Sequence, residues 1–91
     1  METIKCEVRS ERGRAPVRKV RKAGRVPAVL YGKKEEVVAL WVAGLDARRI
    51  VHEGLQELNV EAGGKAQAVR VGEIQFDTFG ETVIHLDFLR A

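Results

Sequence analysis

One cysteine cannot close an internal disulfide, so nothing staples this 91-residue chain, and a reducing cytoplasm is its expected compartment. Histidine is nearly as scarce. His52 and His85 are the only two, and no HxxxH, CxxC or HExxH spacing surrounds them, so neither a metal nor any other cofactor is expected. No glycine-rich phosphate loop of the standard types is present. The longest apolar stretch, Val37–Leu45, is far too short to span a bilayer, so no membrane partner is expected. Residues 1–6 show neither the apolar core nor the cleavage site of a secretory signal. There is no internal repeat and no low-complexity linker. A chain that is 45% hydrophobic and 32% charged reads instead as one folded domain, residues 1–91, with a thin core.

What the chain has in abundance is positive charge, and it is concentrated. From Arg9 to Lys34 there are ten cations and one acid, Glu11, although the whole protein is only +3. Residues 1–35 hold eleven Lys and Arg against four acids, and residues 36–91 hold five against nine, so the remainder is net acidic. Seven of the ten cations fall in Arg12–Arg25, where a polyanion can be gripped by several at once. A basic tail or a solvated helix face is the plainer reading of charge alone. The apolar patterning that follows argues against a tail.

Thr3–Arg9 alternates Ile4, Cys6 and Val8 with polar residues, the period of a half-buried strand, and Gly13 ends that pattern. Pro16 suits the first turn of a helix running to about Ala23, with Gly24 at its end. On that helix Val17, Val20 and Ala23 share one side, expected to be buried. Arg18, Arg21 and Lys22 share the other, expected to be exposed as a cationic ridge. The stretch Arg9–Arg14, with repelling cations and few apolar anchors, is expected to order only when countercharge is supplied.

The runs Val26–Tyr31 and Val37–Val42 suit strands buried on both faces, with Pro27 at the start of its strand or on an edge. Leu45–Glu53 reads as a second helix with Ala47, Ile50 and Val51 inward and Gly54 as its stop. Its charges Asp46, Arg49 and Glu53 form surface pairs. Leu58, Val60 and Ala62 alternate up to Gly63-Gly64, a tight hairpin turn. Lys65–Phe76 switches apolar parity near Gly72, which points to a bulge and leaves open whether the segment counts as one strand or two. Val83–Leu89 buries Ile84, Leu86 and Phe88 and places His85 and Asp87 together on the opposite face.

The order is β-α-β-β-α-β-β-β. A mainly β fold follows, a six-stranded, mostly antiparallel β-barrel with two short helices; an open α+β sandwich is the alternative. Catalysis is not expected. His85 and Asp87 resemble a base and its orienter, but no serine or cysteine nucleophile accompanies them, and Cys6 points toward the core. His52 ends a helix, where an imidazole complements the dipole and needs no other role.

Two motifs now carry a resemblance. Arg9-x3-Gly13 followed by Arg18–Gly32, and then Gln75-x-Asp77 with His85-x-Asp87-Phe88, resemble the opening and closing signatures of the bacterial large-subunit ribosomal protein numbered twenty-five. That family includes the general stress protein Ctc and binds 5S ribosomal RNA. The resemblance covers essentially the whole chain and implies a six-stranded barrel with helices. It implies RNA-facing positions at Arg9, Arg18, Arg21, Tyr31, Gln75, His85 and Asp87. Arg14 stands where the family often has lysine, and Lys22 shares the cationic ridge. Two departures are Val17, where serine or alanine is common, and Thr78, where proline commonly follows the aspartate. Longer members carry a second, C-terminal domain; this chain resembles the short form.

These residue types suit RNA. Arginines on a helix hold phosphates and set register without reading sequence. A carboxylate such as Asp87 is repelled by a polyanion unless it accepts from a base amino group or orients a cation. His85 can hydrogen-bond or stack, and Tyr31 can meet a ribose. The expected function is a ribosomal constituent, monomeric when free, that clamps an irregular internal-loop helix of 5S rRNA beside other large-subunit components. Another RNA-binding barrel, contacting tRNA or mRNA, is the alternative, as is a protein-interaction domain with an acidic partner.

Overall fold

The computed structural model describes residues 2–9, 24–80 and 82–91. The helix expected over Pro16–Ala23 lies outside them, as do Arg14, Arg18, Arg21 and Lys22. The described residues form strands β1 (Thr3–Val8), β2 (Arg25–Tyr31) and β3 (Val38–Ala43), then helix α1 (Gly44–His52), then β4 (Glu57–Ala62), β5 (Lys65–Phe76) and β6 (Val83–Arg90). The strands close into a barrel in the order β1-β3-β2-β6-β5-β4. Four ladders are antiparallel; β1/β4 and β2/β6 are parallel. Closure leaves no free sheet edge among the described residues.

Alternation builds the core. Ile4, Val26, Ala28, Leu30, Leu40, Val42, Leu58, Val60, Val69, Leu86 and Phe88 point inward and are nearly or completely inaccessible. Helix α1 adds Ala47 and Ile50 to the same cluster. The helix follows β3 without a loop, and it can do so because Gly44 has no Cβ: one built there would lie 2.9 Å from the Gly24 carbonyl oxygen. Its end is a glycine-terminated cap. Gly54 takes φ +62°, its N–H donates to the Val51 carbonyl, and the Leu55 N–H donates to the Ile50 carbonyl. Arg49 pairs with Asp46, Glu53 and Glu2 on the exposed side. Such exposed pairs contribute little to stability.

The Gly63-Gly64 turn has φ +59° and +78°, as a two-residue hairpin requires. Strand β5 is continuous through its bulge: Val71 pairs with Phe88, yet Ile74 pairs with Leu86, so β5 carries one extra residue at Gly72-Glu73. That extra residue is why the inward set changes parity from Val69 and Val71 to Ile74.

Three expectations need correction. Val8 is 55% exposed rather than inward, because the β4 ladder ends at Lys5 and Val8 projects past it beside the Gly63 turn. Ile84 is only half-buried, because a second register shift leaves it without a partner between His85↔Gln75 and Val83↔Phe76. Pro27 is the third residue of β2, not the first. It is tolerated there because pairing with β6 begins only at Ala28. Cys6 is half-buried, and burial, with the Asp46 carboxylate adding to it, pushes its thiol up to about 12. It therefore stays a neutral thiol at physiological pH.

Candidate nucleic-acid interface

Tyr31, Gln75, His85 and Asp87 meet on the outer face of the barrel, and the register explains how. In β6, Leu86 and Phe88 face the core, so His85 and Asp87 face out, with His85 Nδ1 3.3 Å from Asp87 Oδ1. Gln75 is the β5 partner of His85 and shares its face. Its side-chain amide also donates to Glu73 Oε1 at 3.3 Å. On the other side Asp87 is paired with Val29 of β2, and Tyr31 lies two residues further along that strand.

The bulge completes the arrangement. A Cβ built on Gly72 would stand 3.3 Å from the Asp87 Cβ and 3.4 Å from the Tyr31 hydroxyl oxygen. The tyrosine ring therefore crosses β6 and brings its hydroxyl to the bare backbone of β5, beside the carboxylate. A donor-acceptor hydroxyl, an acceptor carboxylate, an imidazole and an amide thus sit side by side. They are only partly accessible: the His85 and Asp87 side chains are 16% and 23% exposed. Such a set can read polar edges of a ligand rather than merely attract charge.

Arg9 occupies the neighbouring ladder. Its N–H donates to the Ala39 carbonyl at 2.7 Å, and its guanidinium reaches the Ala28 carbonyl at 3.5 Å and lies 5.4 Å from the centre of the Trp41 ring. Only 7% of Arg9 is exposed. This corrects the expectation that ordering at Arg9 waits for countercharge: an aromatic ring and two strand carbonyls already fix it. Residues 10–14 of that stretch lie outside the described set.

Sequence reading missed Trp41 and Arg25. Trp41 faces outward between Leu40 and Val42, and the Arg25 guanidinium lies 4.7 Å from its centroid while pairing with Glu7 at 2.7 Å. The available signal was parity: once Leu40 and Val42 are inward, Trp41 must be outward. In an unbroken apolar run that parity is invisible. The outer surface across β3, β2, β6 and β5 is thus one strip, roughly 14 Å wide at the usual strand spacing. An aromatic ring with stacked arginines forms one side and the Tyr31–Asp87–His85–Gln75 cluster the other. Among the described residues no group of three or more His, Cys, Asp or Glu is placed to hold a metal ion.

A family model described as the Ribosomal L25p family matches residues 4–88, which include every residue of this strip. The chain belongs to that family. Its similarity to individual members is moderate and runs end to end. It is 38% identical over 92 residues to the large ribosomal subunit protein bL25 of Parvibaculum lavamentivorans, covering 98% of this chain and 43% of that protein. It is 34% identical over 97 residues to the protein of the same name from Proteus mirabilis, covering the whole of both. A third, from Colwellia psychrerythraea, is 35% identical over 97% of this chain and 43% of its own length. The chain therefore spans less than half of some relatives in the Ribosomal L25p family and all of others.

Proposed function

We propose that this chain is a non-enzymatic structural constituent of the bacterial large ribosomal subunit that binds 5S rRNA at an irregular internal-loop helix. The observation that carries the reading is the convergence of Tyr31, Gln75, His85 and Asp87 on one outer face, from three different strands, in a chain of the Ribosomal L25p family. A-form RNA offers its shallow minor groove, 2′-hydroxyls and phosphates to a protein surface, and a non-standard internal loop adds displaced base edges. The acceptors and the hydroxyl of the strip suit those edges. The cations of Arg12–Arg25, including Arg14, Arg18, Arg21 and Lys22, suit the flanking phosphates. On this reading the protein acts on the ribosome, in the bacterial cytoplasm.

Equilibrium binding to purified 5S rRNA, tRNA and a nonspecific RNA duplex, at one salt concentration, tests this directly. A clear preference for 5S rRNA is expected, together with co-sedimentation with large subunits. Equal affinity for all three RNAs would sink the reading.

The Gly72 cradle gives a second test. Gly72→Ala puts a methyl group against Asp87 and the Tyr31 hydroxyl without requiring an unusual φ. The crowding should cost about 1–3 kcal/mol of stability, less the roughly 0.5–1 kcal/mol that alanine recovers over glycine in a strand, and affinity for 5S rRNA should fall as those two groups are pushed apart. A thermal melt and a binding titration on the same preparation separate the effects. Unaltered affinity in a folded variant would remove the Tyr31–Asp87 arrangement from the interface.

A further inference from the structure

The turn after β2 is built in a conformation its residues do not favour. Gly32 has φ +109°, and the next two residues, Lys33 and Lys34, take φ +55° and +60°. They are the only non-glycine residues at positive φ among those described. The Glu35 N–H closes the turn on the Gly32 carbonyl at 3.3 Å. Two successive left-handed residues at the centre of such a turn call for Asn-Gly or Gly-Gly, which adopt it freely. Lysine does not.

The rest of the molecule holds the turn in place. Arg90, only 9% exposed, donates to the Gly32 carbonyl at 2.9 Å and to the Glu36 carbonyl at 2.7 Å, and its Nε lies 3.5 Å from Glu35 Oε2. That contact engages the Glu35 carboxylate. Lys33 and Lys34 are exposed, and no carboxylate among the described residues pairs with either. Glu36 is also exposed and is the one acid of the turn without an ion pair among the described residues. The turn starts one residue beyond Tyr31. Each ammonium rides on a flexible four-carbon stem, so both can reach on the order of 10 Å past the Tyr31–Asp87 cluster.

Strain kept at an exposed, rigidly clamped position points to use rather than to packing. We propose that the Lys33–Lys34 turn is a phosphate-contacting prong, holding backbone phosphates of the RNA that lies across the β2–β6–β5 face. This rests on the functional reading above and extends the interface beyond the barrel wall.

The test replaces the turn with the pair its geometry prefers, Lys33→Asn with Lys34→Gly, beside a charge-keeping control, Lys33→Arg with Lys34→Arg. The Asn-Gly variant should melt at the same temperature as the wild type or above it. Its 5S rRNA binding should weaken, with a log–log salt slope shallower by about 1.4–1.8, the loss of two phosphate contacts. Between ~50 and ~200 mM salt the affinity ratio of wild type to variant should therefore shrink about tenfold. The arginine control should keep the wild-type slope. Wild-type affinity and slope in the Asn-Gly variant would overturn the prong alone, as would an arginine control that loses slope equally. A wild type with no preference for 5S rRNA would overturn the functional reading and the prong with it.

Discussion

Phe88→Ala is expected to destabilise the barrel by about 3–5 kcal/mol, the usual cost of emptying a fully buried aromatic site. Phe88 has no exposed surface and sits between Leu30 of β2 and Val71 of β5, where the parallel and antiparallel ladders of β6 meet. A domain of this size has roughly 5–14 kcal/mol in total, so about a fifth or more of its stability is at stake. The melting temperature should fall by about 12–40 °C. Leu89→Ala, one residue on and facing out at 38% exposure, should change it far less. A circular dichroism melt of both variants decides the matter. A loss below about 1 kcal/mol at Phe88 would mean that the core is not organised around that ring.

Phe88 also shows which parts of the fold can be read from residues in order. Strand parity marks it as inward because Leu86 and Phe88 alternate with His85 and Asp87. The same local reasoning finds the Gly63-Gly64 turn, the Gly54 helix stop and the bulge at Gly72, since each depends on chemistry within a few residues. The parallel pairings β1/β4 and β2/β6 are different. They join segments more than fifty residues apart, and nothing in either strand names its partner. Val8 lies where the parallel β1/β4 ladder stops, and Ile84 where the antiparallel β5/β6 ladder slips. Alternation alone cannot show where a neighbour runs out.

The candidate interface divides the same way. His85 and Asp87 are legible as a pair because two residues of one strand share a face by geometry. That Gln75 and Tyr31 join them depends on β5 and β2 flanking β6, which only the resemblance suggested in advance. Arg9 was legible as a cation but not as one pinned against Trp41. A half-buried, outward-facing ring on an otherwise apolar strand looks like core until its neighbours' orientation is known. Lys33 and Lys34 were legible only as charge, because a positive φ leaves no mark on a lysine in the sequence.

Asp87→Asn should cost about 1–3 kcal/mol of affinity for 5S rRNA, the range for a lost base contact, and almost nothing against a nonspecific duplex. The substitution preserves shape but places an amide donor where an acceptor stood. Asp87 Oδ1 faces His85 Nδ1 at 3.3 Å, so the change also weakens whatever orientation the carboxylate imposes on the imidazole. Loss of negative charge beside a polyanion works in the opposite direction and tightens binding to every RNA alike. The sign of the effect therefore distinguishes reading from repulsion. Asp77 supplies the control. It holds the β5–β6 turn: its carbonyl accepts from the Gly80 N–H at 2.9 Å, and its carboxylate oxygen lies 3.4 Å from the Thr82 amide nitrogen. Asp77→Asn should consequently show the smaller RNA-specific change. Both variants, titrated with both RNAs at one fixed salt concentration, give four numbers, and uniform tightening by Asp87→Asn would end the case that this carboxylate reads the RNA.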